Sequence, residues 1–279
     1  MDIKAFLKNT AGLRFSVFIY FIFIYLHTFF AVSQNTKEAF EWPKGKAAAI
    51  SLTFDDARAS QVNGGTAMLD QYNVKATFYV QPGGVKSQLE GWKNAVTSGH
   101  EIANHTNAHP CTGNFAWSRD KALENYTIDQ MRKELSSSNV MIESLLGVKC
   151  KQFAYPCGQT FVGRGTGTKS YIPVVADLFV TGRGWMNETG NDPAFCDLSQ
   201  LMCFEADGKT FEQLLPHLKA AIDQHQWIIF GGHEMGEEGA QTTRLSTLEK
   251  LIEYVQNPAS GLWLAPVGTV AEYVKAHRK

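Results

Sequence analysis

Short apolar runs alternate along the chain with segments whose apolar residues recur at helical spacing. The runs that read as strands are AAAISLTF (47–54), ATFYVQ (76–81), EIANHT (101–106), QFAYP (152–156), VVADLFVTG (174–182), LMCFEA (201–206) and WIIFGGH (227–233). The stretches that read as helices cover roughly 60–73, 90–99, 124–147, 210–225, 244–257 and 269–278. In 124–147, Met131, Leu135, Val140, Ile142 and Leu145 fall near a helical repeat. In 210–225, Phe211, Leu214, Leu215, Leu218 and Ile222 make one face. Thr210 is a start signal for that helix, while Pro216 predicts a kink or a later start. Strands alternating with helices predict an α/β fold with a parallel sheet and crossover helices. About seven such repeats predict a barrel, with its chemistry where strands end and loops begin.

The N-terminus stands apart. Residues 15–32, FSVFIYFIFIYLHTFFAV, are almost wholly apolar and follow Lys4, Lys8 and Arg14. A basic start, an apolar stretch and Ala31-Val32-Ser33 before Gln34 fit a secretory signal over residues 1–33. The stretch also approaches the ~20 apolar residues of a membrane-spanning helix, so a retained anchor is the competing reading. Both readings export the body of the protein, and any membrane contact runs through this segment alone. Residues 34–46 are polar and read as a linker, which leaves 47–279 as the main folded domain.

Of the 279 residues, 44% are hydrophobic, too many for a disordered chain. The 26 basic and 27 acidic side chains nearly cancel, so nothing in the charge invites nucleic acid. There is no internal repeat. The five cysteines include no C-x-x-C pair, which argues against a zinc knuckle. Cys196 and Cys203 could pair in an oxidising compartment, but most of the cysteines read as small buried hydrophobes.

Three strand ends carry residues suited to chemistry. The first ends in Asp55-Asp56. Two buried carboxylates side by side are costly, although alone the pair reads as a turn or a helix N-cap. The third ends Asn104-His105-Thr106-Asn107-Ala108-His109, with two imidazoles four residues apart that could reach one ion. The last ends Gly231-Gly232-His233-Glu234, a His placed for acid or base work, or for capping a turn. A parallel barrel brings all three ends to one face. Asp56, His105 and His109 would then form a two-His, one-carboxylate metal site with open positions, with Asp55 as base and His233 as acid.

The order TFDD, H-T-x-x-H, a Tyr-Pro turn, Gly-x-Gly-Trp and an apolar strand ending in His resembles the polysaccharide deacetylases with a NodB homology domain, carbohydrate esterase family four. The resemblance spans about residues 45–275. It implies a distorted (β/α) barrel, a divalent metal, most often Zn2+, and removal of acetyl groups from an acetylated polysaccharide. Residue by residue, it implies Asp55 as general base, Asp56, His105 and His109 as metal ligands, and His233 as general acid. Tyr155 and Cys157 fall at its substrate- and oxyanion-binding turn, with a backbone N–H donor at Cys157.

Two departures stand out. Ala154 occupies the position of the family's Arg that partners the base, so Arg183 or Arg164 is expected to supply a guanidinium from another loop. Of the family's Asp-x-x-Asp-Trp motif, Val180–Trp185 keeps only Trp185, which could wall the acetyl pocket, stack on a sugar or pack in the core. Glu234, Glu188 and Asp192 are the candidates for the missing Asp. The loop 158–171, rich in Gly, Thr and Ser, reads as a substrate loop. The alternatives are a carbohydrate-binding protein that has lost turnover, an amidohydrolase acting on a small amide, and a two-His, one-carboxylate iron oxygenase.

Overall fold

In a computed structural model of the protein, which describes residues 40–278, the first strand sets the architecture. β1 (Ala48–Asp55) is buried along its whole length, and its side chains alternate between two environments. Ala48, Ile50, Leu52 and Phe54 face one apolar layer that also holds Phe78, Trp92, Ile228 and Phe230. On the other face, Ser51 donates to the Ala265 carbonyl at 2.8 Å and Thr53 donates to the Phe230 carbonyl at 2.9 Å, which leads the polar side of the strand up to Asp55.

The other strands of this sheet are β2 (Thr77–Val80), β3 (Glu101–Asn104), β4 (Gln152–Ala154), β7 (Thr181–Arg183), β8 (Phe204–Glu205), β9 (Trp227–Gly232) and β12 (Leu262–Leu264). Two short pairs lie outside it: β5 (Phe161–Val162) with β6 (Lys169–Ser170), and β10 (Glu234–Gly236) with β11 (Thr242–Arg244). The sheet order is β7-β4-β3-β2-β1-β9-β8, with β12 beside the start of β1, and every pairing is parallel. All strands therefore end on one side. A single parallel bridge, Arg183 with Leu201, links the β7 edge back toward β8. The expected barrel is thus a curved parallel sheet in which seven strands follow sequence order around the site and β12 adds an eighth beside β1, nearly open at one seam.

The helix Ile128–Leu146 starts at a capping box, in which Thr127 accepts from the Gln130 N–H, and stops at Gly147 in the left-handed region (φ 69°). The helix Phe211–Asp223 also starts at a capping box, on Thr210, and runs on through Pro216 rather than starting after it.

Three expectations change. Residues 174–182 do not form one strand: Ile172–Leu178 is a helix with Pro173 in its first turn, and the strand is only Thr181–Arg183. Residues 40–46 are not a free linker. Trp42 is 6% exposed, packs against Trp263 and Tyr273, and donates to the His225 carbonyl at 3.0 Å. Cys196 and Cys203 stay unpaired, and the disulfide joins Cys111 to Cys157. The signal or anchor segment lies outside the described residues. Among the described residues no helix is long and apolar enough to cross a membrane.

Candidate active site

The strand ends β1, β3, β7 and β9 open on a cavity of about 780 Å³ lined by Asp55, Asp56, His105, His109, Trp185 and His233, among others. Three side-chain groupings define it.

The first is Asp56, His105 and His109, whose potential ligand atoms all lie within 4.8 Å of one another. Asp56 Oδ1 is 3.6 Å from His105 Nε2 and 3.5 Å from His109 Nε2. His105 Nδ1 lies 2.9 Å from the Ala154 carbonyl, an acceptor only, so this nitrogen carries the proton and the Nε2 lone pair is free toward Asp56. Asp56 (φ 74°), Thr106 (φ 63°) and His109 (φ 50°) all sit in the left-handed region. Such conformations persist only where surroundings enforce them. Here Asn104 Oδ1 accepts from the Thr106 N–H at 2.6 Å, and Thr106 Oγ1 accepts from the His109 N–H at 2.9 Å. Glu134, from the helix Ile128–Leu146, accepts from the Asn107 and Ala108 N–H groups.

Electrostatics follow from this crowding. Burial disfavours the charged form of Asp56, but His105, His109, His233 and Arg58 outweigh it and hold its pKa below the usual carboxylate value. Burial, and then the His105 ring, push the His109 pKa down to about 4, so His109 is neutral and able to ligate near pH 7. Cys111 and Cys157 lie close to His109, but as a disulfide they offer no thiolate to a metal.

The second grouping is Asp55 with Arg183. Asp55 is 4% exposed and Arg183 1%. The Arg183 guanidinium donates to both carboxylate oxygens, at 2.5 Å to Oδ2. It also donates to the Gly184 carbonyl and lies 4.7 Å from the centre of the Tyr79 ring. Arg164, the other candidate, is exposed and bonds Asn125 instead.

The third is His233 with Asp207. His233 Nδ1 is 2.6 Å from Asp207 Oδ2, and Asp207 Oδ1 accepts from the His233 N–H and from Thr243 Oγ1. Burial lowers the His233 pKa, but the Asp207 hydrogen bond, followed by the charge of Asp55, raises it above the ordinary imidazole value. The two glycines ahead of His233 make room for this arrangement. A Cβ on Gly232 would collide with Thr243 Oγ1 and come within 2.8 Å of Asp207 Oδ1. A Cβ on Gly231 would come within 2.6 Å of the Trp185 ring.

Residues 43–164 match the family model for polysaccharide deacetylase. Over this stretch the chain resembles the polysaccharide deacetylase family. It is 40% identical over 79 residues to the peptidoglycan-N-acetylglucosamine deacetylase PgdA of Listeria monocytogenes, a match covering 25% of this chain and 16% of that one. The matched segments span a quarter or less of the curated relatives' own length. Among solved structures, a Mycobacterium smegmatis protein assigned to the polysaccharide deacetylases superposes with a TM-score of 0.62 at 20% identity, over 85% of this chain and 94% of the other. A family 4 acetyl xylan esterase from Clostridium thermocellum, in complex with a cobalt ion, superposes with a TM-score of 0.52 at 24% identity, over 82% and 92% of the two chains. At these identities the structures speak for the fold.

Within this polysaccharide deacetylase fold, the structure brings Asp55, Asp56, His105, His109, Arg183, Trp185 and His233 together. Trp185 meets the His233 ring edge-on at 4.8 Å and borders the cavity. Tyr155 also borders it, but its hydroxyl is spent on the Ser199 carbonyl at 2.7 Å. Cys157 lies at the cavity in a left-handed turn (φ 54°). None of Glu234, Glu188 and Asp192 is the partner of the His233 ring. Glu234 pairs with Ser60, and Asp192 accepts from the Ala194 N–H.

Two residues escaped the sequence reading. Asp207 lies in an Asp-Gly turn straight after β8, and its position at a strand end was the available signal. Gln61 is fully buried and donates to the carbonyls of Asp55 (2.7 Å) and His233 (2.8 Å), clamping the ends of β1 and β9 together.

Proposed function

We propose that this protein is a metal-dependent hydrolase that removes N- or O-linked acetyl groups from a polysaccharide outside the cytoplasm. One observation carries the reading: an Asp-His-His group, an arginine-held carboxylate and an aspartate-held imidazole line a single cavity. The donor set fits a divalent cation such as Zn2+, because Asp56 is anionic, His109 is neutral and His105 has its Nε2 lone pair free. When bound, such a cation polarises the acetyl carbonyl and acidifies water.

The protein's own groups supply the rest. Asp55 takes a proton from the attacking water, and Arg183 holds its carboxylate in place through both oxygens. His233 gives a proton to the departing sugar nitrogen or oxygen. Asp207 fixes its ring through Nδ1 and leaves Nε2 for the substrate. The Cys157 backbone N–H donates to the developing oxyanion, a role independent of side chain. Trp185 closes the cavity beside His233.

The relatives support a carbohydrate substrate of either linkage, one being a peptidoglycan-N-acetylglucosamine deacetylase and one structural neighbour an acetyl xylan esterase. The Cys111–Cys157 disulfide and the apolar N-terminus support an oxidising, extracytoplasmic setting. The test is acetate release from acetylated xylan, chitooligosaccharides and peptidoglycan, with metal stripped and then restored. Metal-dependent acetate that disappears in His105→Ala is expected. Metal binding without acetate from any substrate would leave a carbohydrate-binding protein, and no metal binding would overturn the ligand set.

A further inference from the structure

The segment between His109 and the helix Ile128–Leu146 is built to hold still. Its Cys111 is disulfide-bonded to Cys157. Ser118, fully buried, accepts from the Cys111 N–H at 3.0 Å and donates to the Cys111 carbonyl at 2.9 Å. Gln159 accepts from the Thr112 N–H, Glu124 accepts from the Gly113 N–H, and Lys121 donates to the Ala108 carbonyl. Yet this anchored segment leaves two large aromatics in solvent, Phe115 at 43% and Trp117 at 56% exposed. The two rings stack on each other at 5.4 Å with planes 22° apart, and Trp117 lies 5.9 Å from the His109 ring. Both border the same cavity as Asp55 and His233.

We infer that Phe115 and Trp117 form a stacking platform for a pyranose ring of the substrate chain, adjoining the sugar whose acetyl group reaches the cavity. The inference rests on the polysaccharide reading above. One face of a pyranose presents C–H groups whose positive edges suit the negative face of an aromatic ring, while its hydroxyls stay at the rim in water. An exposed aromatic pair continuous with a polar cavity, on a segment already ordered, binds such a ring with little loss of freedom. Of the other large exposed apolar groups, Met186 also borders the cavity but carries no ring, whereas Val140 and Met141 lie on the helix Ile128–Leu146 and do not border it.

The test is calorimetric binding to the full-length, metal-loaded protein. The probes are chitooligosaccharides and acetylated xylo-oligosaccharides from monosaccharide to pentasaccharide, with acetate assayed in the same samples. Wild type should bind the longer members of at least one series more tightly. Trp117→Ala and Phe115→Ala should lose about tenfold in affinity for the longest chain and flatten the length dependence. Trp117→Tyr should retain most of it, and Val140→Ala should match wild type. Melting curves check that each variant is folded. Alanine variants that keep the wild-type length dependence, or a wild type with none in either series, would overturn the platform. Ring-dependent binding without acetate would keep the platform and sink the hydrolase reading, whereas acetate release without ring dependence would do the reverse.

Discussion

Both oxygens of the buried Asp55 carboxyl are met by the Arg183 guanidinium. Removing that partner strands a buried charge. Arg183→Ala should therefore cost on the order of 3–5 kcal/mol in urea unfolding and abolish acetate release. Arg183→Lys should restore part of the stability but little activity, since a point charge cannot make the two-oxygen contact. Arg164→Ala, at an exposed residue bonded to Asn125, should change neither measurement. The His233–Asp207 pair makes a different prediction. Burial lowers the His233 pKa, yet Asp207 and Asp55 carry it above the ordinary imidazole value. The acid form is present below that raised pKa and is lost as pH rises through it. Asp207→Asn removes the charge that raises it, so the alkaline limb of the pH–rate profile should move to lower pH. An unmoved limb would mean that His233 does not set it. In the sequence, Arg183 could be proposed because an arginine was missing at its expected place. Asp207 had only its place near a strand end as a signal, and an Asp-Gly pair there reads first as an ordinary turn, with its contact to His233 spanning 26 residues.

Helix Ile172–Leu178 shows where reading at the level of elements falls short. An apolar run as short as VVADLFV fits a buried strand or a buried helix turn equally well, and Pro173 in the first turn was the clue that favoured helix. β12 was invisible because only three of its residues pair with β1. The disulfide was equally hidden: no spacing rule joins Cys111 to Cys157, whose two loops meet only once the sheet has formed. That link has a measurable consequence. It closes a loop of 46 residues between the segment after His109 and the turn that holds Cys157. Cys111→Ser with Cys157→Ser should cost about 2–4 kcal/mol in denaturant unfolding, most of it through the unfolded chain. Reducing agent should lower the wild-type melting temperature by a similar amount and leave the double variant unchanged. An equal response of both proteins to reductant would show that the bond does not stabilise the fold.

The strand ends of the whole molecule were legible because a parallel sheet puts every C-terminal end on one side, so residues far apart in sequence arrive together without any local motif. Asp55 and Asp56 come from β1 in the middle of the sheet, His105 and His109 follow β3, and His233 follows β9. The Arg183–Leu201 bridge at the seam and the Gln61 clamp between β1 and β9 help to hold these ends toward one another. A cation held by Asp56, His105 and His109 would cross-link the ends of β1 and β3 in the folded chain, and the unfolded chain cannot present that geometry. Ligand binding to the native state alone stabilises it by RT ln(1 + [L]/Kd), about 2.7 kcal/mol at a hundredfold excess over Kd. Stripping metal with a chelator should therefore lower the melting temperature, and adding Zn2+ should restore it in a concentration-dependent way. His105→Ala should abolish this response at any Zn2+ concentration that saturates the wild type. Asp55→Asn should keep it, because Asp55 faces Arg183 and is absent from the three-ligand group. A response lost in Asp55→Asn and kept in His105→Ala would assign the cation to the other carboxylate and overturn the division of labour proposed for the pair.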